Sequence, residues 1–158
     1  MKYQKINEFD FANGEGVRLS IFVSGCEHRC AGCYNESTWD PNDGIDFTEE
    51  TLRDVLTSLE QHDGLSLTGG DPLYPGNREA ILRICKAVKE RYPDKDIWMW
   101  SGYKLSRVEH LEIMNYIDVF IDGRYKRHQP TQKAWRGSDN QILYVRVNDE
   151  LVIDEERN

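Results

Sequence analysis

The sequence predicts an α/β fold in a single domain: a parallel β-sheet with flanking helices, arranged as an open or partial TIM-type barrel. Three observations carry this. Short β-branched and aromatic runs alternate with amphipathic helical stretches. The alternation extends along the chain with no repeat, linker or low-complexity tract. At 158 residues, 39% of them apolar, the chain has the length and the core material of one domain.

The first strand is expected over 19–23, where Leu19, Ile21, Phe22 and Val23 gather. Thr48 then caps a helix whose apolar residues, Leu52, Val55, Leu56 and Leu59, fall at i, i+3, i+4 and i+7. A second strand spans 65–68, and Ile81, Ile84, Cys85 and Val88 repeat the helical spacing. The third strand is 97–100. Ser106 and Glu109 form a Ser-x-x-Glu capping box that opens a third helix, with Val108, Leu111 and Met114 inward. The fourth strand is 119–121, and 142–147 with 151–153 reads as a closing strand or hairpin in an acidic tail, 142–158. Four or five such units are too few to close an eight-stranded barrel, and the crossovers between parallel strands are right-handed.

Composition excludes several classes. The balance of 20 Lys+Arg against 28 Asp+Glu gives a net charge of −8, which argues against a broad nucleic-acid surface. No apolar run approaches the ~20 residues of a membrane span, and the first residues lead into no hydrophobic signal segment. A cytoplasmic protein is expected. One basic stretch departs from the acidic average: Arg124, Lys126, Arg127, Lys133 and Arg136 lie close together, as a solvated loop or a docking patch for an acidic partner.

Three of the four cysteines, Cys26, Cys30 and Cys33, are clustered, and Cys85 lies far off. A disulfide framework would scatter them, so the cluster indicates metal or redox chemistry. Cys-x3-Cys-x2-Cys can hold three corners of a cubane iron–sulfur cluster and leave one iron open to a ligand. The alternative is a Cys3His zinc site with His28 as fourth ligand, in a small interaction module. Gly25 and Gly32 let the backbone turn tightly there. Cys26 follows the first strand, Gly69-Gly70-Asp71 the second, Ser101-Gly102 the third and Asp122-Gly123 the fourth. Parallel sheets bind ligands at the carboxyl ends of their strands, so these segments should converge. Cys85, on an apolar helix face, reads as core. His62, His110 and His128 read as surface or loop residues, and Trp98 and Trp100, on one side of their strand, as core.

Cys26-x3-Cys30-x2-Cys33 followed by Tyr34 resembles the motif of the radical S-adenosylmethionine enzymes, and Gly69-Gly70-Asp71 their Gly-Gly-Glu element with Asp for Glu. The segment from Asn13 to Arg18 is similar to the entry sequence of the glycyl-radical activating enzymes, with Glu15 in place of proline. The stretch from Cys33 to Trp39, Trp98-Met99-Trp100-Ser101-Gly102-Tyr103 and the stretch from Trp135 to Gln141 resemble the activating components of anaerobic (class III) ribonucleotide reductases. The similarity spans roughly 3–141, most of the chain, and sets this branch apart from the pyruvate formate-lyase activases, the alternative within the superfamily.

The resemblance implies a [4Fe-4S] cluster on Cys26, Cys30 and Cys33 whose open iron is chelated by S-adenosylmethionine. It implies reductive cleavage of that sulfonium to a 5′-deoxyadenosyl radical, which makes a glycyl radical on the large reductase. Reduced flavodoxin or a similar donor would supply the electron. A homodimer and a heterotetramer with the reductase are both compatible. For S-adenosylmethionine it implies contacts from Gly32, Cys33 and Tyr34 near the adenine, from Gly69, Gly70 and Asp71 near the methionine ammonium, and from Ser101. Asp122-Gly123-Arg124 is similar to an Asp-x-Lys element, with arginine in the lysine position. Arg18 is expected to bind a carboxylate or the partner's glycyl loop.

Overall fold

The computed structural model describes residues 1–158. Its strands are β1 (Lys2–Asp10), β2 (Arg18–Val23), β3 (Ile45–Asp46), β4 (Gly64–Gly69), β5 (Asp96–Ser101), β6 (Val119–Asp122), β7 (Ile142–Val147) and β8 (Glu150–Ile153). Its helices are α1 (Glu49–Ser58), α2 (Arg78–Arg91) and the single turn α3 (Leu105–Val108). All eight strands form one sheet in the order β3-β1-β2-β4-β5-β6-β7-β8.

The parallel sheet predicted from the alternation is its centre. β2, β4, β5 and β6 run parallel, as the crossovers through α1, α2 and α3 require. Antiparallel strands flank them: β1 pairs β2 and β3 on one side, and β6, β7 and β8 form a meander on the other. The sheet is therefore mixed and open, and it does not close as a barrel. The tail resolves as the β7–β8 hairpin. β1 is the strand that sequence patterning missed, for a physical reason: its pairing with β2 is interrupted by two register shifts, between Tyr3 and Lys5 and between Asn7 and Asp10. A bulge breaks the inward–outward alternation on which strand recognition depends.

The two faces of the sheet differ. Leu19, Ile21 and Val23 of β2, Leu65 and Leu67 of β4, Ile97 and Met99 of β5, and Phe120 of β6 all join one core with the apolar sides of α1 and α2. The intervening residues point the other way because successive strand side chains alternate. There the face is polar toward β2 and β4, with Arg18, Ser20, Ser66 and Thr68, and aromatic toward β5, where Trp98 packs with Val119, Ile121 and Leu143. The helices thus cover one face and leave the second for a binding site.

α1 begins as expected: Thr48 caps it through the Thr51 N–H, and Thr51 returns a bond to the Thr48 N–H. The third helix differs. The Ser106–Glu109 capping box does not form, α3 is one turn long, and a 3-10 turn over Glu112–Tyr116 follows. The α3 start is held instead by Asp122, whose carboxylate accepts the Leu105 N–H at 2.8 Å from the end of β6. A long-range cap has displaced the local one. His62 lies in the loop before β4, within the surface-or-loop reading, but it is buried there, with its ring nitrogens against the carbonyls of Ser58 and Glu8. No helix is long and apolar enough to cross a membrane.

Candidate functional site

A cavity of about 420 Å³ opens on the uncovered face at the carboxyl ends of β4, β5 and β6. Cys26, Cys30 and Cys33 line it together with Gly69, Gly70 and Ser101. The loop after β2 reaches it by a tight path: Gly25 N–H bonds the Thr38 carbonyl at 2.7 Å, and Cys26 N–H bonds the Trp39 carbonyl at 3.1 Å. Gly25 (φ 104°) and Gly32 (φ 73°) take the left-handed conformations these turns need.

The three thiols are free and half-buried. Burial, chiefly, pushes Cys26 up to about 11 and raises Cys30 as well. Alone, such thiols stay protonated; a bound metal centre would stabilise their thiolates. No three His, Cys, Asp or Glu side chains stand close enough to share one metal ion. The three ligands of a cubane bind three different irons, one thiolate to each. His28, the fourth ligand of the zinc alternative, has Nε2 committed to Asp71 Oδ2 at 2.6 Å.

Asp71 is the hub of the site. It is 1% exposed. Its carboxylate accepts from Ser101 Oγ at 2.9 and 3.1 Å, from Gly102 N–H at 2.9 Å and from Leu73 N–H at 2.9 Å, besides facing His28. Its own N–H donates to the Gly25 carbonyl at 2.7 Å. These partners occupy both oxygens, so the side chain organises the turn, and Ser101 Oγ is held by the same carboxylate. Gly69 has φ 100°, and a Cβ on Gly70 would stand 2.5 Å from the Gly25 carbonyl oxygen, so two glycines are required where the Cys loop crosses β4.

Tyr34 is 77% exposed at the cavity mouth, its ring 5.0 Å from that of Tyr125. Arg124 lies on the same rim, while Asp122 is buried beneath it as the α3 cap. Asn13, the first residue of the Asn13–Arg18 segment, also lines the cavity, as does Trp100. Trp100, read as core, donates Nε1–H to the Trp135 carbonyl at 2.7 Å. Its place just before Ser101 at a strand end was a usable signal. Trp135 packs edge-on against Trp98, and Arg136 bonds the side chain of Asn158.

Two candidates lie elsewhere. Cys85 is buried in the helix-covered core, as expected. Arg18 does bind a carboxylate, that of Asp96 in the same chain at 2.8 Å, and is itself 0% exposed. It is closed to any partner loop.

Residues 12–144 match the family described as 4Fe-4S single cluster domain. The protein of Enterobacteria phage T4 named anaerobic ribonucleoside-triphosphate reductase-activating protein is 51% identical, over 91% of this chain and 94% of that protein. This chain belongs to that family. Its members of the same name in Vibrio cholerae and Escherichia coli K12 are 41% and 38% identical, over 91% of this chain and 97% and 98% of theirs. The family match covers the cysteine loop, the Gly-Gly-Asp turn and the Trp135–Gln141 stretch together, which are the segments the fold brings to one cavity.

Proposed function

We propose that this chain is a cytoplasmic radical-generating activase, an oxidoreductase that holds a [4Fe-4S] cluster on Cys26, Cys30 and Cys33 and S-adenosylmethionine beside it. Its target is an anaerobic ribonucleotide reductase, on which it generates a glycyl radical. The observation that carries this reading is the convergence of three half-buried thiols with the Gly69–Gly70 turn and Ser101 on one cavity at parallel strand ends. When bound, the cluster and S-adenosylmethionine supply one-electron cleavage of a carbon–sulfur bond and a carbon radical able to take the α-hydrogen of a glycine.

The chain's own part is binding, orientation and exclusion of water. Three thiolates leave one iron of the cube for the ligand. The side-chain-free backbone of Gly69 and Gly70 gives the amino-acid end room to approach. Cys33 and Tyr34, with Tyr125 against Tyr34, form the wall offered to the adenine, and Gly32 turns the backbone into it from outside the cavity lining. Asp71 fixes Ser101 and the turn, and Arg124 places a cation at the mouth. The mouth is open, so the large reductase completes the enclosure when it presents its glycine. A reduced flavodoxin or similar donor supplies the electron, and a homodimer or a heterotetramer with the reductase is the working assembly.

The relatives' name favours this target over the pyruvate formate-lyase type. The deciding experiment mixes anaerobically reduced protein, S-adenosylmethionine and the cognate reductase, then records the electron paramagnetic resonance spectrum. A glycine-centred doublet on the reductase is expected. Its absence from protein that carries about four irons refutes the proposal.

A further inference from the structure

The middle of the Cys26–Cys30 segment is fastened to the sheet by one buried side chain whose place among the cysteines suggested a zinc ligand. We infer that His28 is a positioning residue: its bond to Asp71 braces the cysteine loop against the ends of β4 and β5 and holds the cluster in place. The inference rests on the cluster assignment made above.

The geometry makes His28 the donor. Asp71 already accepts the N–H groups of Leu73 and Gly102 and the Ser101 hydroxyl, so its carboxylate is an acceptor on both oxygens. His28 Nε2 therefore carries the hydrogen in the 2.6 Å bond. The His28 side chain is 5% exposed and its Nδ1 has no partner, so Nε2 alone anchors the ring by hydrogen bonding. Packing completes the seat. Tyr103 stands edge-on at 4.5 Å, and a Cβ on Gly102 would lie 2.4 Å from the ring, so this position has space for His28 only as glycine. Tyr103 in turn bonds Glu27, the neighbour of His28. The flanking residues Glu27 and Arg29 are exposed, as are Ala31 and Gly32 further along. The loop is thus a surface segment whose buried side-chain hydrogen bond between Cys26 and Cys30 is that of His28, and iron leaves it by local opening.

A buried hydrogen bond to a charged group resists such opening by a factor of about 10 to 100. The test uses anaerobically reconstituted protein and measures the rate at which a chelator removes iron, with denaturant unfolding of the cluster-free chain alongside. His28→Phe keeps the ring shape and removes the donor; it should lose iron at least about 10-fold faster. His28→Gln carries an amide N–H near the Nε2 position and should restore slow release. The unfolding midpoint of the cluster-free chain should move far less than the release rate. Wild-type release from His28→Phe overturns the inference, and so does His28→Gln behaving like His28→Phe. Equal effects on unfolding and on release make His28 a general stability residue and overturn it too. A wild-type chain that takes up no cluster refutes the cluster assignment itself, and the inference with it.

Discussion

Replacing Arg18 with methionine separates two roles that arginine could play at the edge of this fold. In the structure the guanidinium is sealed inside: Nε donates to Ser66 Oγ at 2.7 Å, and Nη2 to the Leu65 carbonyl at 2.9 Å, both buried. Nη1 reaches Asp96, whose side chain is 43% exposed, and the Glu15 carbonyl at 2.9 Å. Two buried charge-assisted bonds contribute about 3 kcal/mol together at the low end of their range. The Asp96 pair is partly solvated and adds at most about 1 kcal/mol. Methionine recovers some packing against Trp98, where the guanidinium now stacks 5.4 Å from the ring centre. Arg18→Met should therefore destabilise the cluster-free chain by about 3 kcal/mol and lower Tm by about 6–12 °C. Urea unfolding at fixed ionic strength measures it. Unchanged stability with lost reductase activation would refute the reasoning and return Arg18 to partner binding.

Three further outcomes follow from the site and the core. Cys26→Ala, Cys30→Ala and Cys33→Ala should each abolish cluster retention and glycyl-radical formation, whereas Cys85→Ala should spare both; iron loss from the Cys85 variant would overturn the ligand assignment. Gly102→Ala should mimic His28→Phe in iron release, because its Cβ displaces the same ring; wild-type release would show that the loop does not need the ring where it stands. Burial, chiefly, pushes the Cys85 thiol up to about 12, while the unfolded chain loses that proton near 9.0. Folding is unaffected by Cys85 below the lower value and weakens as pH rises toward the upper one. Between about pH 8 and about pH 10, wild type should lose about 1 kcal/mol more stability than Cys85→Ala in urea titrations, and parallel losses would refute the assignment.

The parallel centre of the sheet was legible because each of its strands is a short apolar run and the helices α1 and α2 keep a strict 3.6-residue spacing. β1 was not, since Lys2, Lys5 and Glu8 and two register shifts erase its alternation. The capping box at Ser106 was misread for the opposite reason: the local pattern is real, but Asp122 caps α3 from 17 residues away and fixes its start at Leu105. Helix ends are decided by whichever acceptor reaches the free N–H groups, and a side chain across the fold competes on equal terms with a neighbour. His62 is a loop residue, as the sequence allowed, yet it is buried, because one of the carbonyls that receive it belongs to β1.

At the site, the sequence by itself determined which chemical groups are present: three thiols at fixed spacing, glycines where backbone must pass close, and strand ends where parallel sheets gather ligands. Those are local or topological properties, and the chain carries them before it folds. Only the tertiary structure decided which polar groups remain free to act. It put Arg18 inside against Asp96, joined Ser101 and His28 to one carboxylate, and turned Trp100 toward the cavity. Hydrogen-bond partners distant in sequence settle such outcomes, since a buried polar side chain goes to the nearest group that satisfies it, wherever the chain has brought that group.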